Sequence, residues 1–132
     1  MMEDVEKLTI LRGEDLNWES DGRRGFFEYC DLGMRKATSG RYLVHLIRAT
    51  ASMESPIGGH RHIVDLQVVY MLKGWMKLWH EGHGEVTLKA GDCMYQPGGL
   101  THGALDWSAD FECLEVISPG NFSTLESETE AA

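Results

Sequence analysis

The chain has 132 residues, with 12 Lys plus Arg against 21 Asp plus Glu and a formal net charge of −9. That is one ordinary domain, long enough to bury roughly two thirds of its unfolded surface without disulfides or a folding metal. The excess of acid opposes a phosphate backbone or an anionic membrane surface, so neither nucleic acid nor membrane is expected as a partner.

The acid is concentrated at the ends. Residues 1–21 carry seven acids and two bases, and residues 121–132 carry three acids and no base, which leaves eleven acids and ten bases between them. The expected layout is an acidic extension over 1–22, a folded body over 23–120 and an acidic tail over 121–132, disordered beyond Phe122. Cys30, Cys93 and Cys113 form no CxxC pair, and the first residues have acids where a signal peptide needs bases and an apolar core. Both features point to a reducing, cytoplasmic setting.

In chain order, only residues 3–11, with Val5, Leu8 and Leu11, carry a helical spacing. Strand-like runs then follow at 25–29, 42–49, 67–72, 75–80, 85–89, 93–96 and 111–117, broken by turn residues at 73–74, 81–84 and 90–92. Short strands at regular spacing predict an all-β sandwich or barrel. Strand alternation puts Gln67, Val69 and Met71 on one face of the third run, and Cys113, Glu115 and Ile117 on one face of the last. If that last face looks inward, Glu115 is a buried carboxylate and a candidate general base.

Six histidines occur, and three have suggestive positions: His60 and His62 at i and i+2, and His102 forty residues later. In an extended chain the first pair points to one side, and the amide oxygen of Gln67 can reach the same point. Neutral imidazoles suit Zn, Fe, Ni or Cu and an amide oxygen tolerates Mn and Fe, so the expected ion is Fe, Mn, Zn or Ni, and three imidazoles with an amide leave it its full charge for Lewis-acid work. Asp106 or Asp65 is the expected partner for a ligand's second ring nitrogen. Val69, Met71, Cys113, His45, Arg48 and Tyr95 are candidates to line the pocket, with Arg61 pointing away from it. His80 and His83 flank a turn and are expected in solvent. Cys93 and Cys113 are expected as small core residues, and Trp75 and Trp79 as an exposed face for a homodimer.

The run His60-Arg61-His62, four residues, Gln67, six residues, Gly74 resembles the first motif of the cupin superfamily, with Gln67 in place of the usual Glu. Gly91, Pro97, Gly99 and His102 resemble the second, with Asp106 at its final Asn position, and sixteen residues separate the two motifs. The resemblance implies a double-stranded β-helix, a jelly-roll barrel, holding one divalent transition metal on His60, His62, Gln67 and His102. A His-His-Gln-His set is similar to that of cupins which open unsaturated uronate sugars. The superfamily also hosts iron dioxygenases and non-catalytic modules that bind small molecules, so three readings stand. They are a Lewis-acid isomerase or lyase on a sugar acid, keto acid or enol; an iron dioxygenase; and a binding module. An open cavity on the metal site would favour an enzyme, and a filled barrel a module.

Overall fold

The computed structural model describes residues 7–20, 26–53 and 55–126. Its strands are β1 (Phe27–Asp31), β2 (Leu43–Ala49), β3 (Ile57–Ile63), β4 (Leu66–Lys73), β5 (Trp75–His80), β6 (Gly84–Lys89), β7 (Cys93–Tyr95), β8 (His102–Trp107), β9 (Glu112–Ser118) and β10 (Ser123–Glu126). They form two antiparallel sheets in the orders β1-β2-β9-β4-β7 and β10-β3-β8-β5-β6. This is the all-β jelly roll that the motifs imply. No helix among the described residues is long and apolar enough to cross a membrane.

The expected alternation sets what faces inward. Across β2, β9 and β4 the register aligns three rows: Leu43, Ile117 and Gln67; His45, Glu115 and Val69; Ile47, Cys113 and Met71. On the facing sheet His60, His102 and His80 align across β3, β8 and β5. The polar rows thus meet across one part of the interior. Its other part is closed by an apolar cluster around Trp107, Phe27, Phe111, Met71, Leu78 and Leu88. Trp107 is 1% exposed, lies 4.9 Å from the Phe27 ring, and donates its indole N–H to the Ala51 carbonyl at 3.3 Å.

Four parts of the layout differ from expectation. Residues 7–11 are not helical, and with Leu8 92% exposed there is no surface for such a helix to bury; residues 3–6 lie outside the described residues, as does Gly25 of the first run. The histidine motifs themselves form strands, β3 and β8, which their glycines and polar residues disguised. A single helical turn, α1 (Met34–Ala37), stands between β1 and β2. Finally, residues 123–126, expected to be disordered, add β10 to the edge of β3, where backbone pairing outweighs their polar composition. Residues 127–132 lie outside the described residues.

The turn that returns the chain to His102 is tightly made. Gly91 has the positive φ expected of it, +93°. At Gly98 a Cβ would lie 2.1 Å from the Val64 carbonyl oxygen, so only glycine fits. The next residue, Gly99, donates its N–H to the His62 carbonyl at 2.8 Å, which ties the approach of His102 directly to β3.

Candidate metal centre and cavity

His60 and His102 are buried and His62 is half-buried, and one ring nitrogen from each lies within 4.8 Å of the other two. Their ring centroids are 4.3 to 5.0 Å apart. His60 Nδ1 lies 3.0 Å from the Gly58 carbonyl and His102 Nδ1 3.0 Å from the Leu100 carbonyl. A carbonyl only accepts, so Nδ1 carries the proton in both rings and Nε2 keeps its lone pair. His62 Nδ1 is held by the Thr124 hydroxyl at 2.9 Å. The outer partners are thus two carbonyls and a hydroxyl from β10, not the expected carboxylates. Asp65 is exposed, and Asp106 is turned outward with its Oδ1 accepting from Trp107 N at 2.9 Å.

Gln67 is buried beside the cluster, as expected, and its amide orientation follows from its neighbours. Its Nε2 donates to Glu115 Oε2 at 2.8 Å, and its Oε1 accepts from Gln96 Nε2 at 3.0 Å. Because an ionised carboxylate accepts only, the oxygen of Gln67 must be the end directed toward the histidine side. Gln96 Nε2 also lies 3.2 Å from His102 Nε2, and Gln96 Oε1 accepts from His80 Nε2 at 2.8 Å. One amide therefore donates to both lone pairs, of Gln67 and His102, that a cation would use. Three neutral imidazoles fixed from behind plus an amide oxygen suit a borderline divalent transition ion, so the residues present fit such a metal.

Glu115 does face the interior. Its Oε1 lies 2.6 Å from His45 Nε2. Burial pushes its pKa up, but the hydrogen bond and charge of His45, with the Gln67 amide, outweigh this and hold it below the usual carboxylate range. Burial lowers the pKa of His102 to about 3, aided by the neighbouring histidines and opposed by its bond to Leu100. The unfolded chain therefore takes up a proton at His102 near pH 6.5 that the folded chain refuses until about pH 3. This share of stability is complete above pH 6.5 and drains away as pH falls. Metal-free protein should accordingly lose about 2 kcal/mol from this group by pH 5, read as a falling urea midpoint.

A cavity of about 350 Å³ opens on this constellation. Val69, Met71, Cys113 and His45 line it, and burial raises the thiol pKa of Cys113 well above its ordinary value. Arg48 and Tyr95 do not line it. Arg48 lies on the outer face, paired to Glu28 at 2.8 Å and stacked 3.9 Å over Trp18, while Tyr95 opposes Val68 on the outer side and is 59% exposed. Arg61 is exposed and His83 lies in solvent, whereas Cys93 is exposed and not in the core. His80, expected in solvent, is 7% exposed because β8 places it in the histidine row. Sequence reasoning missed Gln96, Thr124 and Arg35. Gln96 had one available signal, its place just before the Pro97 turn of the second motif.

Two antiparallel sheets around a cavity, with a histidine cluster on one wall, define a small jelly-roll protein with a metal-capable site. The Cupin_2 family model, described as a cupin domain, matches residues 52–116, a span that holds both histidine motifs. With the fold, this makes the chain a member of the cupin superfamily. No curated protein matches it in sequence. Among solved structures, KdgF from a Halomonas species is 17% identical, with a TM-score of 0.67 over 84% of this chain and 94% of that one. An RmlC-like cupin from Shewanella frigidimarina is 20% identical, with a TM-score of 0.68 over 88% and 95%. Oxalate decarboxylase from Bacillus subtilis is 18% identical, with a TM-score of 0.66 over 92% of this chain but only 33% of its own. At these identities the likeness is one of fold.

Proposed function

We propose that the chain is a metal-dependent enzyme acting on a small oxygen-rich molecule, a sugar acid, keto acid or enol, in an isomerase- or lyase-like step. The observation that carries this reading is the open cavity of about 350 Å³ meeting the histidine cluster where a filled barrel would be expected of a binding module. A structural relative supports it, since a structure of the Bacillus subtilis oxalate decarboxylase, 19% identical, is described by its Mn(II) centres.

In this reading His60, His62 and His102 would hold one divalent ion, with the Gln67 oxygen completing the set. When bound, the ion supplies Lewis-acid polarisation of a carbonyl or hydroxyl oxygen. The chain supplies the rest. Gly58, Leu100 and Thr124 keep the imidazoles in place from behind. Glu115, ionised at neutral pH, accepts the substrate proton, and His45 stabilises its charge until that transfer neutralises it. Val69 and Ile47 keep that part of the wall apolar, which strengthens each charge interaction within it.

The test begins with elemental analysis of protein purified without chelator or His-tag. It continues with product detection by NMR on panels of uronates, keto acids and enols. Bound Zn, Mn or Ni with turnover of one panel is the expected result. Iron with oxygen uptake would move the chain to the dioxygenase reading, and no metal even after reconstitution would move it to the binding module.

The chain is further proposed to act in the cytoplasm as a homodimer. Tyr70, Leu72 and Tyr95, all exposed on the outer side of β4 and β7, support pairing through that face. The expected face is a weaker candidate, because Trp75 and Trp79 are already half-buried. Sedimentation should give a dimer, and Tyr70→Glu a monomer that keeps its metal.

A further inference from the structure

Arg35 sits on α1, in the connection between β1 and β2, and lines the cavity. Its Nε is shielded from solvent and has no hydrogen-bond partner among the described residues. Every other charged group on the wall is engaged. Glu115 gives one oxygen to His45 and the other to Gln67, and neither is hydrogen-bonded to Arg35. Among the described residues lining the cavity, Arg35 is the only Lys or Arg.

A buried donor with no acceptor is a cost that folding does not explain, and it falls on the one side chain whose charge cannot be relieved by deprotonation. The missing partner is an acceptor, the cavity is the open side from which it can come, and the guanidinium charge favours one that is anionic. A chain of net charge −9 repels anions in general, so a guanidinium kept on the cavity wall with its Nε unpartnered is a local exception to the overall field. A carboxylate meets the requirement best, because its two oxygens match the fork formed by Nε and a terminal nitrogen.

We infer that Arg35 binds the carboxylate of the substrate, which makes the substrate a small organic acid whose oxygen-bearing carbon is presented to the histidine cluster. The inference rests on the reading of the cavity as a substrate site, and narrows it from sugar acids, keto acids and enols to molecules that carry a carboxylate. Arg35 thereby selects what enters, while the histidines and Gln67 act on a different part of the same molecule.

The test is calorimetric titration with galacturonate, pyruvate and oxalate, each paired with its own amide, on metal-loaded and on metal-free protein. At least one acid should bind about tenfold or more tightly than its amide, as expected of a charge-assisted pair. Arg35→Gln should erase that preference while its metal content stays that of the wild type, and Arg35→Lys should keep part of it. Independently, the Arg35 Nε–H signal, assigned by its loss in Arg35→Lys, should shift with the acid and not with the amide. Equal binding of acid and amide, no binding of any acid, or full preference in Arg35→Gln would overturn the inference. Failure of the metal-centre reading shows itself separately, as absence of metal from the wild type, and leaves the metal-free titrations to decide on Arg35.

Discussion

Replacing His102 with Ala should reduce the metal content of the purified protein from about one ion per chain to background, and abolish any turnover with it. His102 occupies the middle of the row formed with His60 and His80, and its ring is aimed by the Leu100 carbonyl. Loss of an outer partner costs a metal site roughly 10–100-fold in affinity, and loss of the ligand itself should cost more. His83→Ala, an exposed histidine on the turn after β5, is the control and should leave the metal in place. The same substitution has an opposite consequence in acid. The variant lacks the group that refuses a proton between pH 6.5 and about 3, so its metal-free stability should fall less over that range than that of the wild type. Retention of a full complement of metal by His102→Ala would remove the histidine cluster as the site.

The parts of this architecture that could be read in the sequence are those set by period and turn. Alternation alone placed Gln67, Val69 and Met71 on one wall, and Cys113, Glu115 and Ile117 on another, because a strand has only two faces. The histidines could be read because i and i+2 spacing and the Pro97 turn are local features. What could not be read is polar and tertiary. His80 adjoins turn residues and looks like solvent, and only its register against β8 buries it. Gln96 joins His80, Gln67 and His102 across the barrel, a set of contacts with no sequence period. Thr124 lies in an acidic stretch whose composition suggested disorder, yet the open edge of β3 recruits it. Arg35 lies in a helical turn too short to leave a periodic signal, and strand position favoured Arg48 instead. His45 was the intermediate case, a pocket candidate from its place on an apolar strand, but nothing local named Glu115 as its partner.

Glu115 is the position where charge and metal binding should separate. Glu115→Gln keeps the shape but turns one acceptor oxygen into a donor, which must then face either His45 Nε2 or Gln67 Nε2. Gln67 can relieve the second conflict only by reversing its amide. That turns its N–H group toward Gln96 Nε2 and the histidine side, where a lone pair is needed. The expected outcome is a folded protein whose metal affinity is about 10–100-fold weaker, read by competition with a chelator of known affinity. Glu115→Ala removes both acceptors and leaves His45 and Gln67 unpaired inside the barrel, so it should cost about 3–5 kcal/mol at pH 7 by urea unfolding. The folded pKa of Glu115 is lowered, so its stabilisation is complete above the unfolded value of 4.5 and is lost as pH falls through the folded one. The gap between wild type and Glu115→Ala should therefore be wide at neutral pH and narrow below pH 4.5. If Glu115→Gln binds metal as tightly as the wild type, the carboxylate does not set the orientation of Gln67. The amide oxygen would then be directed by Gln96 alone.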